Sequence, residues 1–350
     1  MTGGNGASKA ALNEFVEFRA EQYEQVRAVF DTVGSSSADA ALVERIQAEF
    51  PRPSDDLRAA VAAFRDLLRI EQRHERFRRL LRAWSGKITS GIRSGDFASA
   101  GIWMKAVTEN PVFPGEYAIH VTEAIRELSR PALLDELVAA LAKAGDPPGA
   151  AALLAGWGEP LVEHLITGML ADEPEVNRRH LIEYLGMAGR GDVRLLTPWL
   201  HDPRWFIVRN VATAVGKAGR ETGIPALAAI VDHDDDRVRV EAIRGLATLE
   251  GEDAVPLLVR SLSDPSQRVR NAAVSLLRAE PSDEVVIRIA EYLSSNNAEA
   301  DDARRLIKVI AERTSQPARD ALASLADKRF AVGSGKIVRD SARAALQRRS

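Results

Sequence analysis

Residues 202–219 read DPRWFIVRNVATAVGKAG, and the pattern returns twice at even spacing, as HDDDRVRVEAIRGLATLE (233–250) and DPSQRVRNAAVSLLRAE (264–280). Ile207, Val211 and Val215 fall on Val238, Ala242 and Leu246, and then on Val269, Ala273 and Leu277. Each set is spaced i, i+4, i+8, which draws one apolar stripe along a helix. A second helix follows in every unit. Ile224, Leu227 and Val231 match Val255, Leu258 and Leu262, then Val286, Ile289 and Leu293. Pro225 and Pro256 stand in its first turn, where a missing N–H costs nothing. A recurrence at this interval, with two helices per unit, leaves few folds open. One unit cannot bury both helices alone, so the units must stack.

The pattern extends outward. Leu181 and Leu185 lead through GRGD (189–192) to Val193, Leu196 and Leu200, read as a further helix pair. Pro160 and Pro131 open second-helix signatures upstream, as Pro317 does downstream, and Val338, Ala342 and Leu346 restore the first-helix spacing at the end. Asp202, Asp234 and Asp264 precede the first helices, placed to cap them or to lie just ahead of them.

The string D-P-x-x-x-V-R-x-x-A-x-x-x-L followed by a Pro-led helix resembles the HEAT repeat family, in particular the short bacterial HEAT-like repeats associated with phycobilisome lyases. The resemblance implies an all-α superhelix, an α-solenoid of about six or seven units. It leaves function open, because such solenoids host many unrelated roles.

Residues 1–110 keep no such period and are read as an N-terminal helical capping segment, with the solenoid at 111–350. Leu12, Phe15, Val16, Tyr23, Val26 and Phe30 mark one long helix; Leu57, Val61, Phe64 and Leu68 another; Phe77, Leu80, Leu81, Trp84 and Ile88 a third. SSSAD (35–39) and FPRPSDD (50–56) read as breaks, and NPVFPGE (110–116) as the junction. Residues 65–93 carry nine Lys/Arg against three acids, whereas residues 1–50 carry eight acids against four Lys/Arg. The basic run RIEQRHERFRRLLRAW (69–84), with Arg76, Arg78, Arg79 and Arg82, reads as a solvated helix face; an acidic partner, nucleic acid or membrane surface is the alternative.

Bulk chemistry removes several function classes. The chain has no cysteine, so it has no thiolate metal site and no cysteine nucleophile. Net charge is −3, and residues 174–293 hold 16 Lys/Arg against 18 Asp/Glu, which speaks against nucleic acid as partner. No basic-then-apolar start is present, and no apolar run reaches the length of roughly 20 residues that a bilayer requires, so a cytoplasmic protein without a membrane span is expected.

Five candidate sites follow. Trp205 with Arg204 and Arg209 resembles the Trp, Asp and Arg set with which some HEAT-like DNA glycosylases hold a base. Against that, Asp202 caps, Trp205 packs on the next turn, and the arginines pair between repeats. The turn VDHDDD (231–236) and HD (201–202) could gather His201, Asp202, His233 and Asp234 on a cation, but acids at helix starts need no ion. GSGK (333–336) lacks the flanking residues of a phosphate loop, with Phe330 and Ile337 in their place. His74–Glu75 is a single His–Glu pair, where HEAT-like iron hydroxylases carry several. No metal, cofactor or catalytic residue is therefore expected. The last candidate is the second-helix face that a solenoid turns inward. It presents Trp199, Arg260, Arg288 and Tyr292, residue types enriched at binding hot spots. This reading expects a non-enzymatic scaffold or regulator that holds a protein or peptide there, with a nucleic-acid-binding HEAT-like protein or a HEAT-like lyase as the alternatives.

Overall fold

The computed structural model describes residues 53–170, 177–249, 254–295, 298–327 and 333–348. The expected helix over residues 12–30, the SSSAD break and the last two residues lie outside them. Backbone contacts divide the chain into residues 1–62 and 63–350. Among the described residues, all regular structure is helical.

Helix α1 spans Pro53–Ile70 and buries Phe64 and Leu68 in the second unit. It starts inside FPRPSDD, because proline suits a first helical turn. The basic run is not one helix. The chain leaves helix at residues 71–73 and re-enters at α2, His74–Ser94. There Phe77, Leu80, Leu81, Trp84 and Ile88 are buried, as their spacing requires, while Arg78, Arg79 and Arg82 are exposed and Arg76 is half-buried. Gly95 ends α2 at φ +78°, in the left-handed region that glycine enters without strain. Asp96 then caps α3, Phe97–Thr108, by accepting the Ser99 N–H at 3.0 Å.

Helices α4 (Ala118–Leu128), α5 (Pro131–Ala144), α6 (Ala150–Ala155), α7 (Glu159–Leu170) and α8 (Arg178–Gly189) lead into the strict repeats. These alternate first and second helices: α9 (Trp205–Ala218) with α10 (Ile224–Ala228), α11 (Asp236–Thr248) with α12 (Ala254–Arg260), α13 (Gln267–Ala279) with α14 (Asp283–Ser294), and α15 (Ala300–Ala311) with α16 (Gln316–Ala326). Helix α17, Ser334–Gln347, ends the series. First helices pack on first helices in one row, α3, α6, α8, α9, α11, α13, α15, α17. Second helices α12, α14 and α16 form a row behind it. All nine stripe residues from Ile207 to Leu277 are fully buried. Burying each Val, Leu or Ile contributes about 1.5–3 kcal/mol, so the stripe is where the array gets its cohesion.

Three expectations about the repeats are corrected. Val193, Leu196 and Leu200 do not lie on an α-helix: two short 3-10 turns, Val193–Leu195 and Thr197–His201, carry the stretch, with Pro198 in the second. Val255 is half-exposed, and Ala254 takes the buried place. The third concerns the acid assigned to the turn before α11, taken up next.

Candidate functional site

The turns into α9, α11 and α13 each contain a residue that accepts a backbone N–H two positions on. Asp202 accepts from Arg204 at 2.9 Å, His233 through Nδ1 from Asp235 at 3.0 Å, and Asp264 from Ser266 at 2.7 Å. These three positions are evenly spaced along the chain, so His233, not Asp234, holds the repeat position in the middle turn. With Asp202 also held by the Arg204 guanidinium and His233 by this bond, the turns do not converge on a cation. Among the described residues no group of three or more His, Asp or Glu is gathered as metal ligands.

A second set of bonds ties one repeat to the next. Arg239 donates to the His233 and Asp234 carbonyls of its own turn, at 2.7 and 3.0 Å, and grips both Asp264 oxygens of the following turn at 2.8 Å. Arg270 repeats this on the Asp264 and Pro265 carbonyls and reaches Asp302 and Glu299, each at 2.8 Å. Arg270 and Asp302 are both buried. Three arms of each guanidinium are satisfied, which offsets the loss of hydration. At the equivalent earlier position stands Val208, and the next turn offers His233 instead of an acid. Cation and anion are absent together there.

Where the turns balance their charges, the exposed faces of the first helices carry an excess of cations. An open groove of about 730 Å³ crosses α9, α11 and α13. Arg209, Arg237, Arg244 and Arg268 line it with a single carboxylate, Glu241. Val240, Ala272 and Leu276 supply an apolar floor, and Gln267, Asn271 and Ser275 neutral polar groups. Arg237 and Arg268 occupy the same position in successive repeats. Arg237 is fixed, bonded to Asp235 at 2.6 and 2.9 Å, with its guanidinium carbon 3.3 Å from the centre of the Trp205 ring. That bond holds the Asp235 carboxyl down to about 2, against the opposing effect of burial. Arg268 has a long 3.6 Å tie to Asp236, and Arg244 an in-helix pair with Glu241. Arg209 bonds the side-chain oxygen of the buried Asn210, at 2.7 and 3.1 Å; among the described residues no carboxylate pairs with it.

The residues expected at an inward second-helix face lie in the other row. Arg260 pairs at 2.6 Å with Asp232, which belongs to the preceding unit. Arg288 sits between Glu284 and Glu291 of its own helix. Tyr292 donates its hydroxyl to the Leu262 carbonyl at 2.9 Å, and burial pushes its phenol up from the ordinary value. Trp199 is half-buried in the second 3-10 turn. Two of the four, Arg260 and Tyr292, therefore hold neighbouring units of the array, and Arg288 is held within its own helix. In the earlier basic run, Arg78 donates to His120 at 3.2 Å, and His74 pairs with His120 at 2.8 Å and stacks on Tyr117. Of the residues named around Trp205, Arg209 faces the groove, and Arg204 is clamped to Asp202. Sequence reading missed the groove because it summed charge along the chain. The usable signal was Arg237 and Arg268 in register on exposed positions.

Comparison with known proteins bears on the fold. A family model of HEAT repeats matches residues 162–241 and 224–307. No curated protein matches the chain. Among solved structures, the complex of CpcE and CpcF of phycocyanin lyase from Nostoc sp. PCC7120 matches at 19% identity, covering 62% of this chain and 95% of that one, with a TM-score of 0.29. Human deoxyhypusine hydroxylase in complex with glycerol matches at 18% identity over 85% of this chain and 98% of that one, with a TM-score of 0.30. An engineered protein matches at 16% identity over 85% of this chain and 91% of that one, with a TM-score of 0.27. At these scores none carries an argument about activity. In register, in helix pairing and by the family match, the units of residues 162–307 are HEAT repeats.

Proposed function

We propose that this protein is a non-enzymatic, cytoplasmic scaffold that holds a protein partner along the row of first helices. The observation that carries this reading is the groove itself. It crosses three consecutive repeats, each of which places at least one arginine in it, with Arg237 and Arg268 at the same repeat position, so successive units offer successive contacts to one extended partner. Its chemistry favours binding. The polar groups lining it are arginines, amides, one carboxylate and Ser275, whose hydroxyl is spent on the Asn271 carbonyl at 2.9 Å. The absence of cysteine fits a reducing compartment.

The test is affinity capture from native extract with the intact chain, an Arg244→Glu/Arg268→Glu variant, and a Trp199→Ala/Arg260→Glu/Arg288→Glu variant. Both variants are first checked for native helicity. A partner kept by the second variant and lost by the first supports the reading. Loss only in the second would move the site to the second-helix row.

A further inference from the structure

We infer that the first-helix groove takes an extended acidic peptide segment, with carboxylates set about every third residue and apolar side chains between them. This rests on the scaffold reading and names the chemistry of its partner. The charge argument comes from faces. Each of the first helices α9, α11, α13 and α15 carries more Lys/Arg than Asp/Glu, whereas the second helix α14 carries more acids than bases. The basic strip runs past the groove. Arg305 of α15 donates to the Asn271 side-chain oxygen, and the exposed Lys308 lies one turn further on.

Spacing favours a peptide. Packed helices lie about 8–10 Å apart. An extended chain in the polyproline II conformation advances about 3.1 Å per residue with three residues per turn, so every third side chain returns to the same face and meets the next helix. Arg237 and Arg268 are such neighbours, with Arg237 already held by Asp235 and Trp205. The carboxylates are left Arg209, Arg244 and Arg268, whose ties are to an amide and, at 5.4 Å, the Trp205 ring, to one carboxylate of the groove itself, and to an acid 3.6 Å away. Between these sites Val240, Ala272 and Leu276 offer apolar contact, and Gln267 and Asn271 offer amides to a peptide backbone.

Nucleic acid fits the same groove less well. Single strands are held by aromatic platforms on which bases stack, together with a continuous basic track. The aromatic ring beside the groove, Trp205, has the Arg237 guanidinium 3.3 Å from its centre, which leaves no room for a base on that face. Glu241 would face the phosphates.

The experiment is fluorescence anisotropy of a labelled peptide of repeating Glu-Ser-Val on the full chain, with labelled oligothymidylate of matched length in parallel. The single variants Arg244→Glu and Arg268→Glu change side chains that are 56% and 60% exposed. Each is expected to weaken the peptide about tenfold or more, and to reduce the salt dependence of binding. Arg260→Glu and Arg288→Glu, in the other row, are expected to change it less than twofold. Peptide binding that ignores the groove variants, or is lost equally in both rows, overturns the inference. Oligothymidylate held more tightly than the peptide and released by the groove variants overturns it in favour of nucleic acid. If the peptide fails to bind while the extract partner is still lost by the Arg244→Glu/Arg268→Glu variant, the acidic-peptide inference falls and the scaffold reading stands. If neither is seen, both fall.

Discussion

At the scale of single residues, the turns behave as small electrostatic devices. Asp192, Asp202 and Asp235 each accept the N–H of an arginine two positions on and bind its guanidinium, and all three carboxyls are lowered mainly by that side-chain bond. A carboxyl lowered in the folded chain adds stability above its unfolded value, 3.8, and loses it as pH falls toward the folded value, about 2 for Asp235. The urea midpoint of the intact protein is therefore expected to drop between about pH 4 and about pH 2, and Asp202→Asn/Asp235→Asn to flatten that drop. Equal slopes in both proteins would rule these turns out as its source. Arg270 gives a sharper case. Arg270→Met strands the buried Asp302 and is expected to cost about 3–5 kcal/mol, whereas Arg270→Met/Asp302→Leu should recover most of it. Urea unfolding by circular dichroism reads both. At this scale the sequence was half legible. The acid ahead of each helix could be read, but the switch to His233 could not. A His that accepts a backbone N–H looks, in a string of letters, like any His beside three aspartates.

At the scale of the element, what decides is how closely two helices approach. A β-carbon on Gly216 of α9 would lie 2.8 Å from the Gly245 α-carbon of α11. Backbone cannot yield there as a flexible side chain can. Gly216→Ala is expected to lower stability by about 1–3 kcal/mol despite alanine's better helix propensity. Gly86, on the exposed face of α2 with nothing within 4 Å of its would-be β-carbon, is the control. Gly86→Ala should raise stability by about 0.5–1 kcal/mol. A common sign for the two changes would refute close approach as the cause. The stripes that bury each first helix were readable, since nine positions in strict register have only one use. Second helices were less so. The stretch 193–201 has helical spacing, yet it folds as two 3-10 turns, because spacing alone does not register a proline in so short a segment.

At the scale of the whole molecule, stability should be distributed. Repeats meet mainly their sequence neighbours, so the array need not unfold in one step. All five tryptophans lie between residues 84 and 205, whereas helices continue to residue 347. Tryptophan fluorescence therefore reports on the earlier repeats and circular dichroism on all of them. The two unfolding curves are expected not to coincide, and Arg270→Met to shift the second far more than the first. Superimposed curves, moving together in the variant, would mean a single cooperative block. The groove also belongs to this scale, which is why it was illegible in one dimension. A chain segment balanced in charge folded so that an excess of cations lies along the row of first helices.

The arginine rungs between repeats have a consequence for how such a chain can lengthen. Two successive units each hold a cation whose partner lies in the unit after it, as Arg239 holds Asp264 and Arg270 holds Asp302. Copying the whole unit that begins at Asp264 inserts that acid and Arg270 together, so each cation again meets an acid of the unit after it. Copying part of a unit opens one and leaves a charge buried alone. Growth by complete modules is then built into the pairing itself, and Val208 facing His233 is how a junction looks when both halves of a rung have been given up together.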